Sequence, residues 1–216
     1  MIQVHTFPVN MLSENTYVVF DETKEAVIID CGALLPAEHK MIDDYIAENS
    51  LTIKHLLQTH AHFDHLFGAQ HIYETYGVKP KLSKDDLQTY LHATEQMEMF
   101  MHRIFELELP PYDADFLQSN TPIRFGNHSL RIFPTPGHTP GGVCLYEDTE
   151  HLLFSGDSLF RGSIGRTDLP GGDTMALVNS LTELLHLLPE DTKVYPGHGP
   201  ETTIAYEKQY NGYLTI

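Results

Sequence analysis

Thr59-His60-Ala61-His62-Phe63-Asp64-His65 follows directly on an apolar run at 53–57, and the fold turns on how this stretch is read. Imidazole nitrogen and carboxylate oxygen are donors that first-row metals accept. Alternate residues at the end of an extended strand point the same way, so His60 and His62 converge on one ion. Asp64 and His65 come where a helix is expected to begin, and their side chains turn toward a second ion nearby. A polar loop with accidental histidines is the plainer alternative. Four ligand-type residues packed together behind a buried strand speak against it.

On the N-terminal side, alternating apolar residues predict strands over 2–7, 16–20 and 26–30. The short polar turns between them imply an antiparallel meander. Pro36 opens a predicted helix over 36–48. On the C-terminal side a second helix is expected over 64–76, ended by Gly77, then a short strand over 79–82. The longest helical pattern covers 85–108 and stops at Pro110-Pro111. Strands at 130–133, 142–146 and 151–154 follow, then a helix over 175–188, a strand over 193–195 and a closing helix over 204–210. Strands and helices thus fall into two similar halves, 1–120 and 121–216, in the α/β class. Two sheets facing each other with helices outside would satisfy this order.

Three further candidates stand at the ends of later strands. His138 lies in Thr135-Pro136-Gly137-His138-Thr139-Pro140-Gly141-Gly142, Asp157 in Phe154-Ser155-Gly156-Asp157-Ser158, and His198 in Tyr195-Pro196-Gly197-His198-Gly199-Pro200. Each alone reads as a turn residue or cap. Their common placement favours convergence with the first cluster, and seven ligands suffice for two metals.

The whole chain supports this reading. Its 216 residues, 41% hydrophobic and 20% charged, fit a single domain over 1–216 with a packed core. Thirteen Lys+Arg against 30 Asp+Glu give a formal charge of −17, which argues against nucleic acid as a partner. Two cysteines, Cys31 and Cys144, allow no disulfide framework and no cysteine-based zinc knot; both read as buried thiols. Without an apolar span of membrane length or a signal-like start, the expected partners include no membrane and the expected location is the cytoplasm. Asp30 and Ser155 are placed to support the site by hydrogen bonds. The run Gln96-Met97-Glu98-Met99-Phe100-Met101 reads either as a wall of the site or, more plainly, as a core or subunit-contact helix. Nine histidines lie outside the motifs and read as ordinary; His102, beside the methionines, is the one to watch.

His60-Ala61-His62-Phe63-Asp64-His65 resembles the HxHxDH signature of the metallo-β-lactamase superfamily, and His138, Asp157 and His198 match its later ligand motifs in order. The resemblance covers nearly the whole chain and implies a four-layer αββα sandwich. It further implies that His60, His62 and His138 bind one divalent ion and Asp64, His65 and His198 another, with Asp157 bridging. Zinc is expected first, with iron or manganese compatible. Ser155 to Phe160, the loop Gly162 to Asp168 and Gly197-His198-Gly199 are similar to the glyoxalase II-like hydroxyacylglutathione hydrolases. That subgroup implies hydrolysis of a small acyl thioester by metal-activated water, with Asp64 orienting or deprotonating the nucleophile. Unlike full-length glyoxalase II, this sequence has 18 residues after His198 and no helical glutathione-binding domain; short single-domain relatives fit better. Arg166 occupies the position of a basic residue that meets the glutathione carboxylate, but Asp168 replaces the aromatic expected two positions later. Arg166 therefore holds a substrate carboxylate or pairs with Asp168 or Asp173. Persulfide dioxygenases share all seven positions but use one iron, and their loop resembles Arg-Gly-Cys-Gly-Arg-Thr-Asp. Here Arg161 to Asp168 is one residue longer and lacks the cysteine, which favours hydrolysis. A lactonase is a further alternative within the superfamily, and a metal-binding scaffold without turnover is the non-catalytic one.

Overall fold

The computed structural model of the chain describes residues 1–101 and 107–214. Strands β1 (Gln3–Val9), β2 (Glu14–Phe20) and β3 (Glu25–Ile29) form the expected antiparallel meander. Helix α1 (Pro36–Glu48) then crosses over to β4 (Thr52–Leu57), which runs parallel to β3, and β5 (Pro80–Lys81) completes a five-stranded sheet in the order β1-β2-β3-β4-β5. Helix α2 (Ala69–Tyr76) links β4 to β5. After α3 (Leu87–Leu91) and α4 (Ala93–Met101), the strands β6 (Ile123–Phe125), β7 (His128–Pro134), β8 (Val143–Glu147) and β9 (Leu152–Gly156) form an antiparallel run. A small hairpin of β10 (Leu159–Phe160) and β11 (Ser163–Ile164) precedes α5 (Thr174–Leu187). Strands β12 (Lys193–Pro196) and β13 (Thr202–Thr203) close a six-stranded sheet ordered β13-β12-β9-β8-β7-β6, and α6 (Ile204–Tyr210) follows.

The period-two alternation of each strand assigns its side chains to two layers. Tyr17, Val19, Val27, Ile29 and Leu57 face Leu130, Ile132, Leu145 and Phe154 between the sheets. On the outer side of the first sheet, Val18, Phe20, Ile28 and Leu56 pack on Ile42 and Ile46 of α1 and Ile72 of α2. On the outer side of the second sheet, Tyr146, Leu153 and Val194 pack on Leu177, Leu181, Leu184 and Leu185 of α5. The architecture is an αββα sandwich. No helix among the described residues is long and apolar enough to cross a membrane.

Topology sets the place of the site. Because β7 and β9 both run antiparallel to β8, and β12 runs parallel to β9, all three end at the same sheet edge. β4 ends there too, where the Val143 amide donates to the Thr59 carbonyl at 2.8 Å and joins the two sheets.

Two predicted helices differ from the observed ones. Residues Phe63–His65 form a single 3-10 turn, and α2 starts only at Ala69. The segment between is tied to the loop after β3: Cys31 N–H donates to His65 O, and Gly68 N–H to Cys31 O. A Cβ on Gly68 would lie 2.5 Å from the Cys31 sulfur, so this close approach needs glycine. The pattern over 85–108 is broken at His92, whose ring Nδ1 bonds the Gln88 carbonyl at 2.8 Å while the Gln96 amide donates to Thr89 O at 2.6 Å. Side chains thus add bonds to carbonyls at the break, the Gln88 carbonyl also accepting the His92 backbone amide. Residues 102–106 of that predicted helix, His102 among them, lie outside the described residues, and 107–108 are not helical.

Candidate metal centre

The loops at the shared sheet edge bring all seven sequence candidates together. Ligand-type atoms of His60, His62 and His138 lie within 4.8 Å of one another, and so do those of Asp64, His65 and His198. Asp157 sits between these sets: Oδ1 is 3.4 Å from His65 Nε2, and Oδ2 is 3.6 Å from both His138 Nε2 and His198 Nε2. Asp64 Oδ2 is 3.2 Å from His198 Nε2. Close packing demands glycine here: a Cβ on Gly197 would lie 2.2 Å from Asp157 Oδ1.

The rings of His60, His65, His138 and His198 are each aimed by the other nitrogen. His60 Nδ1 meets Thr59 Oγ1 at 3.1 Å, and His65 Nδ1 meets Asp30 Oδ2 at 3.0 Å. His138 Nδ1 meets the Arg166 carbonyl at 2.7 Å, and His198 Nδ1 the Leu12 carbonyl at 3.0 Å. These bonds leave the Nε2 atoms facing inward, as metal-binding histidines are usually held. The buried Nε2 atoms of His60, His65 and His138 and Oδ1 of Asp157 have no hydrogen-bond partner among the described residues. Buried polar atoms seldom go unpaired, so this donor set fits a cation. Asp30 also lies within reach of His60 and His65, but it is engaged by Thr59 N–H, Thr59 Oγ1 and the His65 ring, which makes it a support.

Charge is distributed unevenly. Burial pushes His60 down and His62 down to about 3, leaving both rings neutral. For His65 burial opposes the charge, but Asp157, Asp30 and Asp64 outweigh it and raise the ring well above its usual value. His198 is raised the same way, burial being overcome by Asp64 and Asp157. Asp157 and Asp64 lie below the usual carboxylate range, because the neighbouring histidines outweigh desolvation.

A cavity of about 840 Å³ opens over the cluster, walled by Leu12, Phe63, Met99, Phe100 and Leu169, with Arg166 at its side. Arg166 pairs with Asp168 through two bonds of 2.7 and 2.8 Å and stands 5.9 Å from the Phe100 ring centre. Asp173 instead caps α5 through the Ala176 amide. The methionine run divides: Met97 is core, whereas Met99, 65% exposed, faces the cavity. His92, read as ordinary from sequence, also lines it. Cys31 and Cys144 are buried, and burial pushes the Cys144 thiol up to about 11. Ser155 bonds the Leu159 carbonyl and shapes the turn after β9.

Sequence reading missed the braces around the cluster. Glu14 is buried beneath His65, at 3.8 Å from Nδ1, and accepts from Thr16 Oγ1 and Gly32 N–H; burial raises it well above the usual carboxylate range. Asn10 donates to the Asp64 carbonyl, and Asn15 to the carbonyls of Pro196 and Gly199. Asp86 is bonded to both histidine loops. Their partners are far away in sequence, and as turn or capping residues they carry no signal of their own.

Comparison with known proteins agrees with this geometry. The chain is 36% identical to the Bacillus subtilis probable metallo-hydrolase YqgX, covering 96% of this chain and 95% of that one. It is 34% identical to the Haemophilus influenzae hydroxyacylglutathione hydrolase GloC, over 99% and 98% of the two chains. Among solved structures, the BLEG-1 B3 metallo-beta-lactamase superposes with a TM-score of 0.89 at 34% identity, covering both chains fully. TTHA1623, solved in a di-iron-bound form, gives 0.86 at 35% identity over 98% and 100%. The sequence profile of the metallo-beta-lactamase superfamily matches residues 9–198, which span every candidate ligand, and with the αββα sandwich this places the chain in the metallo-beta-lactamase superfamily.

Proposed function

We propose that this chain is a hydrolase that holds two divalent metal ions, zinc first with iron or manganese compatible, and cleaves small acyl thioesters of the hydroxyacylglutathione type. His60, His62 and His138 would hold one ion and Asp64, His65 and His198 the other, with Asp157 shared. The observation that carries this reading is the pair of three-residue sets flanking one carboxylate, with inward Nε2 atoms that have no protein partner. Such ions supply an acidified water and polarise a carbonyl oxygen.

The chain's own groups do the rest. Asp64 lines the cavity and is held ionised, so it can orient the attacking water and accept its proton. Water adds to the acyl carbon and the carbon–sulfur bond breaks. The products are a carboxylate and a thiol, and the thiolate needs little help to leave. The apolar wall excludes bulk water, and Arg166 at the side of the cavity, paired with Asp168 in the free protein, would exchange that partner for a substrate carboxylate. The likeness to GloC supports the thioester class.

The test is hydrolysis of S-lactoylglutathione by the purified protein, with metal counted on the same sample. Turnover with about two metals per chain is expected. Absence of turnover, with one iron bound and oxygen consumed on glutathione persulfide, would overturn the reading. So would turnover confined to a β-lactam or a lactone.

A further inference from the structure

Asp86 is outside the seven-residue cluster, on the 3-10 turn Lys84–Asp86 ahead of α3, and is 0% exposed. Its Oδ2 accepts the Ala61 amide at 2.9 Å and the Thr139 hydroxyl at 2.9 Å. Its Oδ1 accepts the Gly141 amide at 2.8 Å and, more weakly, the Thr89 hydroxyl at 3.4 Å. Ala61 is the residue between His60 and His62, and Thr139 directly follows His138. The fit is tight: a Cβ on Gly141 would stand 2.3 Å from the Asp86 nitrogen. Among the described residues no cation pairs with this carboxylate, so its burial rests on these bonds alone.

The other set is braced elsewhere. Asn10 Nδ2 donates to the Asp64 carbonyl at 3.0 Å, the Leu12 carbonyl accepts from His198, and the Asn15 amide donates to Gly197 O at 2.7 Å. All three belong to the β1–β2 connection and its flanks, remote in sequence from Asp86.

We infer that Asp86 is a positioning residue for the His60/His62/His138 set alone, clamping the loop after β4 to the loop after β7 so that three rings from two sheets keep one spacing. This rests on the metal-binding reading proposed above. Without the clamp, the loops are joined across the sheets by the Val143–Thr59 bond one residue before His60, and the histidine spacing loosens. Supports of this kind typically alter metal affinity by about 10- to 100-fold.

The experiment is zinc titration of chelator-stripped protein against a chromophoric competitor, for wild type, Asp86→Asn, Thr139→Val and His138→Ala, with a melting curve of each metal-free protein. Asp86→Asn keeps the volume but turns an amide NH2 toward donors. The expected result is two sites in wild type and, in Asp86→Asn, one site weakened by about tenfold or more with the other within about twofold. Thr139→Val should weaken the same site less. Asp86→Asn combined with His138→Ala should match His138→Ala alone, which identifies the weakened set. Equal weakening of both sites, or no change in either, overturns the inference while leaving the two-metal reading intact. A wild type that takes up no zinc, and no iron(II) or manganese(II) in the same titration, overturns both. Should Asp86→Asn fail to fold, Thr139→Val decides.

Discussion

Single residues decide how the two proposed ligand sets respond to protons. In metal-free protein, His60 and His62 are driven toward the neutral form by burial, His62 to about 3, so a cation entering beside them displaces no proton from either ring at pH 7. His65 is raised well above its usual value by the carboxylates around it, so it holds a proton there until pH rises through that elevated value, and His198 is shifted in the same direction. A cation entering the Asp64/His65/His198 set must evict the protons these rings hold, and its affinity therefore climbs with pH. The first set should change little from these two rings between about pH 5 and 8. Calorimetric zinc titrations at pH 7 in two buffers of different ionisation enthalpy would count the protons. Release should accompany one binding event far more than the other, and His198→Ala should reduce it. Equal release from both events would contradict the charge distribution.

At the scale of elements, α5 shows what belongs to the fold rather than to the site. Leu177, Leu181, Leu184 and Leu185 bury one face of it against the second sheet. Leu181→Ala should cost about 2–5 kcal/mol in urea unfolding of the metal-free protein, the cost of a core cavity, while metal stoichiometry stays at the wild-type value. Asp173→Ala removes the N-cap bond to Ala176, worth about 1 kcal/mol. The backbone bond from the Asp173 amide to Gly137 O, beside His138, survives the substitution, so metal stoichiometry should again stay at the wild-type value. Helices of this sort were legible in sequence, since their apolar residues recur at helical spacing and Pro36 or Gly77 marks an end. Central strands were legible too, from apolar residues such as Tyr17 to Phe20 of β2, which is buried at all seven positions because both of its faces are covered. Short strands such as β6, β10 and β11 hold too few residues to show a period. The extra helical turns expected at 64–68 lost to backbone bonds with Cys31, a partner more than 30 residues away.

At the scale of the whole molecule, the cluster is where the two halves of the sandwich meet. His60, His62, Asp64 and His65 come from the loop after β4, in the first sheet; His138, Asp157 and His198 follow β7, β9 and β12, in the second. The HxHxDH spacing could be read because its members are neighbours in sequence. Asp86, Glu14 and Asn10 could not, because a brace is defined by contacts that form only when the sheets pack. This division predicts how metal affects stability. An ion held from both sheets binds the folded chain and not the separated halves, so it stabilises by mass action, about 2.7 kcal/mol per site at free metal one hundred times Kd. Adding a chelator should therefore lower the melting temperature. His138→Ala and His198→Ala, each removing one second-sheet member from a different set, should each abolish about half of that chelator effect, and the double variant nearly all of it. Differential scanning calorimetry with and without chelator measures this directly. A double variant that still loses as much stability to chelator as the wild type would show that the ions are held within one half, and the proposed sharing of ligands across the sandwich would be wrong.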